Sequence, residues 1–158
     1  MNICIPISLI MALAPAAASA AILTASVASP DGKTRVSIDN ASGTPLYNVS
    51  YDGKTIIADS PLGLVADYAD FSRNLTMTEV ADTILSQHYH LRHSKKSDID
   101  FNANSLTCDF ATPDGAKMAV EFVVADNNVA FRYFLPRNGE TGSVRVMRET
   151  SGFRLPEY

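Results

Sequence analysis

Between Lys117 and Leu135 apolar residues recur at every second position, the period of a strand with one buried face. Met118, Val120, Phe122 and Val124 alternate with Lys117, Ala119, Glu121 and Val123. Asp126-Asn127-Asn128 then reads as a turn, and Val129 to Leu135 returns in residues that favour strands. Earlier, Ile22–Ala28 and Lys33–Asp39 are predicted strands joined by Ser29-Pro30-Asp31-Gly32, where Pro fixes one φ and Gly accepts a positive one. Asn40 to Gly43 turns the chain again. Thr44–Tyr51 follows, with Leu46 and Val49 on opposite faces, and Asp52-Gly53 leads into a short strand over Lys54–Ala58.

Ser60-Pro61-Leu62-Gly63 interrupts the meander, Leu64–Tyr68 is a further short strand, and Asp70–Asn74 is a loop. Leu75–Ala81 reads as an irregular strand. Ser86 to Asp100 is the most polar stretch and predicts an extended, solvent-facing strand that runs into a Ser/Lys-rich turn, with Asn102–Ser105 as a second loop. Pro113-Asp114-Gly115 joins Leu106–Ala111 to Lys117–Val124. Arg137–Thr141 is a loop, Ser143–Glu149 a strand, and Ser151–Tyr158 the start of another segment. No helical period follows Ala20. The pattern predicts an all-β, antiparallel β-sandwich built from hairpins, incomplete at its C-terminus.

Residues 1–20 stand apart. Ile3 to Ala18 is apolar and uncharged, and Ala18-Ser19-Ala20 suits signal peptidase, although Met1-Asn2 lacks a basic residue. The expectation is a signal peptide over 1–20, a mature domain over 21–158, and a secreted, periplasmic product with no membrane attachment after cleavage. The full sequence has 158 residues, 46% hydrophobic and 19% charged, which suits one modest globular domain. A net charge of −4 leaves no broad basic surface, so nucleic acid is not an expected partner. Trp is absent, which counts against a direct sugar-binding surface, whereas six Tyr and seven Phe keep one open.

Candidate chemistry is sparse. Cys4 leaves with the signal, so Cys108 is the mature chain's single thiol, and it shares a strand face with Phe110 as a small core residue would. His88 and His90 lie on one face of the polar strand with reach for one cation, and His93 falls on the other if the strand stays regular. Asp98 and Asp100 are near in sequence without visibly completing a site; the competing reading is an exposed polar strand. Glu79, Asp82, Asp98, Asp100, Glu121, Glu140, Glu149 and Glu157 are scattered over loops and exposed strand positions and form no acid–base pair. No nucleophile elbow, phosphate loop or dinucleotide fingerprint is present. Asn40, Asn48 and Asn74 begin glycosylation sequons. Arg132, inside the apolar run VAFRYFL, is either an edge-strand Arg packing its stem or a partner for a neighbouring domain.

Several ordered motifs carry a resemblance. AILTASVASPDGKTRVSIDN followed by GTPLYNVSYDGKTIIADSPLGL resembles the opening of glycoside hydrolase family 97 proteins, the α-glucosidase and α-galactosidase group typical of Bacteroidetes. HSKKSDIDFNANSLTCDF, DNNVAFRYFLP and ETSGFRLP resemble later stretches of the same family, with Asn128 where a Gly is usual and expected to tolerate a left-handed backbone. The resemblance implies the N-terminal β-sandwich domain, a galactose-mutarotase-like supersandwich that packs on a (β/α)8 barrel. In the family the barrel carries the catalytic carboxylates and most calcium ligands. Calcium is therefore expected for the full-length enzyme and no cofactor in this chain. Glu157 is too close to Phe153 to be the family's N-terminal calcium ligand, and no catalytic or metal position transfers. The resemblance implies a fragment of an enzyme cleaving α-glycosidic bonds, inactive alone, with the barrel as partner and α-linked oligosaccharide as a further one. A stand-alone carbohydrate-binding module presenting Tyr47, Tyr51 or Tyr89 on one face is the alternative, as is an interaction domain for a separately encoded barrel.

Overall fold

A computed structural model describes residues 22–92, 95, 97–137 and 142–157. The expected signal segment, His93 and Glu140 lie outside the described residues. Strands β1 (Thr24–Ala28), β2 (Thr34–Asp39), β3 (Leu46–Tyr51) and β4 (Lys54–Pro61) pair in chain order as one antiparallel sheet. After β5 (Leu64–Ala66), strands β6 (Thr76–His90), β7 (Asp98–Ala111), β8 (Lys117–Ala125) and β9 (Asn128–Phe134) form a second antiparallel sheet. A last strand, β10 (Val146–Glu149), returns to pair with β5. No helix is present among the described residues, and so none long and apolar enough to cross a membrane.

Alternation builds the core between the two sheets. Val36 and Ile38 of β2, with Tyr47 and Val49 of β3, face Leu106, Cys108 and Phe110 of β7 and Met118, Val120, Phe122 and Val124 of β8; all are buried. The hairpin of β8 and β9 therefore packs its apolar face on the first sheet, as its sequence pattern requires. Asn104 Nδ2 donates to the Ala28 carbonyl at 2.8 Å and Thr34 Oγ1 to the Asp126 carbonyl at 3.2 Å, which pins the sheets together at one end. At the Asp52-Gly53 turn both residues have positive φ, 48° and 76°. That conformation matches the twist of the strands it joins.

Four expectations change. Leu75–Ala81 and the polar stretch after Ser86 belong largely to one strand, β6, of 15 residues. Asn102–Ser105 is not a loop but the middle of β7: Ala103 and Ser105 are buried, and Asn104 finds the Ala28 carbonyl. Cross-strand pairing there outweighs the turn preference of Asn and Ser. β4 continues through Pro61, so the break shrinks to Leu62-Gly63. Asn128 begins β9 opposite Ala125 and takes no left-handed φ; the non-glycine residues that do, among those described, are Asp52 and Asn74.

Candidate functional site

The run from Ala58 to Asp67 receives the end of the chain along a continuous antiparallel seam. Asp67 N donates to the Arg145 carbonyl at 3.0 Å, Thr150 N to Gly63 at 2.9 Å, Gly152 N to Pro61 at 3.0 Å and Ala58 N to Arg154 at 2.8 Å. Side chains from the sandwich lock this seam. Tyr47 Oη donates to the Gly152 carbonyl at 3.0 Å. Tyr133 Oη accepts from Gly63 N at 2.8 Å and shares a 2.5 Å hydrogen bond with Ser151 Oγ. Burial pushes the Tyr133 phenol above its usual range, against the hydrogen bonds from Ser151 and Gly63. Gly63 is required here: a Cβ would stand 2.5 Å from the Phe71 carbonyl oxygen, at φ +140°.

Rings continue the connection inward. Phe153 lies 6.1 Å from Phe131 and 6.3 Å from Tyr47, and these two pack on Phe122 at 5.4 and 5.5 Å. Yet Phe153 keeps 66% of its surface exposed and Leu155 73%, and Val146 and Met147 also face outward. The seam thus fixes a run of apolar side chains on the outside of a rigid support.

The residues singled out in the sequence fall elsewhere. Cys108 is buried, and burial pushes its thiol up to about 12, with Asp109 adding to the effect. Arg132 is an edge-strand residue: its Nε meets Glu121 Oε2 at 2.5 Å and its guanidinium lies 4.6 Å from the Phe134 ring centroid. Glu121, expected to be exposed, keeps only 13% of its side chain in solvent. Glu79, Asp82, Asp98, Asp100, Glu149 and Glu157 are exposed. Asn40 is buried and donates to the Leu75 carbonyl, Asn48 donates to Asp59 Oδ1, and Asn74 is exposed. Tyr47 is a core residue, while Tyr51 and Tyr89 sit on different sheets, so the three make no common sugar-stacking face. His88 and His90 do share a face, and Asp100 and Asp98 stand directly opposite them across the β6–β7 ladder. His88 Nδ1 meets Asp100 Oδ1 at 2.7 Å and His90 Nδ1 meets Asp98 Oδ1 at 2.9 Å. The seam residues Tyr133, Ser151 and Gly152 carried no chemical signature by which sequence could select them.

The sequence pattern described as Glycosyl-hydrolase 97 N-terminal matches residues 27–158. The chain belongs to glycoside hydrolase family 97. A probable retaining alpha-galactosidase of Streptomyces bingchenggensis is 32% identical over 124 residues, covering 78% of this chain and 19% of that protein. A solved beta-arabinopyranosidase superposes with a TM-score of 0.79 at 39% identity, covering 84% of this chain and 21% of that one. A family 97 enzyme from Pseudoalteromonas sp. strain K8, solved with panose, gives 0.75 at 28% identity over 83% and 20%. The chain spans about a fifth of the relatives it matches. What aligns is the N-terminal domain of the family 97 architecture, and the all-β sandwich described above is that domain. Among the described residues no group of three or more His, Cys, Asp or Glu side chains gathers where it could hold a metal ion.

Proposed function

We propose that this chain acts as the scaffolding domain of a secreted family 97 glycosidase that hydrolyses α-glycosidic bonds, and that it is inactive without a catalytic (β/α)8 barrel. The observation that carries the reading is the outward apolar run Val146, Met147, Phe153 and Leu155, held on a seam that Tyr47 and Tyr133 fasten to the core. Rigidly presented apolar side chains suit a permanent partner, because little conformational entropy is lost when they are covered. The relatives supply the partner's character: four fifths of each lies beyond the aligned region, and their names describe glycosidases. Calcium and the catalytic carboxylates belong, in this reading, to that remaining region.

The test is turnover by the purified full chain on aryl α-glucosides, α-galactosides and β-arabinopyranosides. No hydrolysis is expected. Turnover that co-purifies with the chain through successive columns would overturn the assignment. A stand-alone carbohydrate-binding module is less well supported, since the three tyrosines that could have formed a platform are dispersed. Saturable binding of maltooligosaccharides by calorimetry would restore it.

A further inference from the structure

The β6–β7 hairpin outruns its sheet. β8 pairs with β7 no further than Ala103 opposite Ala125, so residues 86–90 and 98–102 form a two-stranded arm with no third strand beside them among the described residues. One face of the arm is polar: Ser86 bonds Asn102 at 2.9 Å, followed by the His88–Asp100 and His90–Asp98 pairs. Both imidazoles engage their carboxylate through Nδ1. With Nδ1–H donating to Asp, a neutral ring presents the lone pair of Nε2 outward, the arrangement in which imidazole binds metal. The histidine side chains are 64% and 58% exposed, so both rings are largely open to solvent. Two residues apart on a strand, their Cα atoms are about 6.8 Å apart on the same face, within reach of one ion bound at about 2.0–2.1 Å from each nitrogen.

We propose that His88 and His90 form a two-imidazole chelate for a divalent transition ion of the zinc or copper(II) type, with Asp100 and Asp98 orienting the rings. Imidazole selects such ions over calcium and magnesium, which require oxygen ligands. The site needs no third protein ligand, and water fills the remaining positions. It sits on the sandwich's own arm and draws all its protein ligands from this chain.

The experiment is zinc chloride titration of the full 158-residue chain by calorimetry, paired with copper(II) electron paramagnetic resonance. The expected result is a single saturable site whose copper spectrum shows coupling to two nitrogens. H88A and H90A should each weaken binding at least tenfold, and D98N/D100N about tenfold. All positions substituted at 88, 90, 98 and 100 are exposed, and unchanged circular dichroism confirms that folding is intact. Absence of saturable zinc binding, or equal affinity in the H88A/H90A double variant, would overturn the proposal. Full affinity in D98N/D100N would remove the orienting role.

Discussion

Tyr133 and Gly63, 70 residues apart in sequence, meet through a 2.8 Å hydrogen bond from the glycine amide to the tyrosine hydroxyl. Tyr133→Phe keeps the ring and removes this acceptor together with the Ser151 contact. The half-buried seam is then left with an amide that lacks its partner, a loss of about 1–3 kcal/mol. Urea unfolding should show a lower midpoint at an unchanged slope. An unchanged midpoint would show that the phenol does not fasten the seam.

Gly63→Ala combines a backbone overlap with a φ that L residues rarely adopt. The expected cost is about 3 kcal/mol or more. Gly53→Ala is the comparison. It meets nothing within 4 Å and is strained only by its φ of +76°, so about 1 kcal/mol is expected there. Thermal melts of the two variants should rank in that order.

Cys108 should resist Ellman's reagent at pH 8 in a Cys4→Ser background, because a thiol raised to about 12 inside the core is neither ionised nor reachable. Full reaction in guanidinium and none in buffer is the expected pair of results. Rapid labelling of the folded chain would contradict the core placement.

Asp31 accepts from the Ser29 hydroxyl at 2.6 Å and from Lys33 N at 3.0 Å, which holds its carboxyl below the ordinary 3.8. Asp70 is lowered in the same way, first by the Ser72 hydroxyl. A depressed folded pKa adds stability that is present above the unfolded value and lost as pH falls through the folded one. D31N and D70N should therefore be less stable than the parent at neutral pH, and the gap should close as pH falls below 3.8. Denaturation series at several pH values would read this directly; a gap independent of pH would exclude the linkage.

The hairpins were legible because their information is local. Asp52-Gly53 and Pro113-Asp114-Gly115 announce turns within a few residues, and alternation beside them assigns each face. The continuity of β6 was hidden: the strands expected before Ala81 and after Ser86 are one element, and no buried stripe over residues 82–85 joins them. The His–Asp pairs were equally hidden. They depend on the register that places His88 opposite Asp100, and sequence proximity alone does not give a register. The seam was least legible: Arg154 reaches Ser60 across 94 positions and Gly152 reaches Tyr47 across 105. Family resemblance recovered what periodicity could not, by naming the domain to which those distant pairs belong.

The seam also orders events in time. Each four-stranded sheet is a meander of neighbouring strands, so both can begin to form while the chain is still being synthesised. The outer edge of the strip from Ala58 to Asp67, where the Ala58 and Asp67 amides and the Pro61 and Gly63 carbonyls await partners, stays open until residues 145–154 have left the ribosome. For that interval the nascent sandwich carries an unpaired edge, the feature by which β proteins most readily stick to one another. Residues 145–154 thus act as a latch that closes this edge.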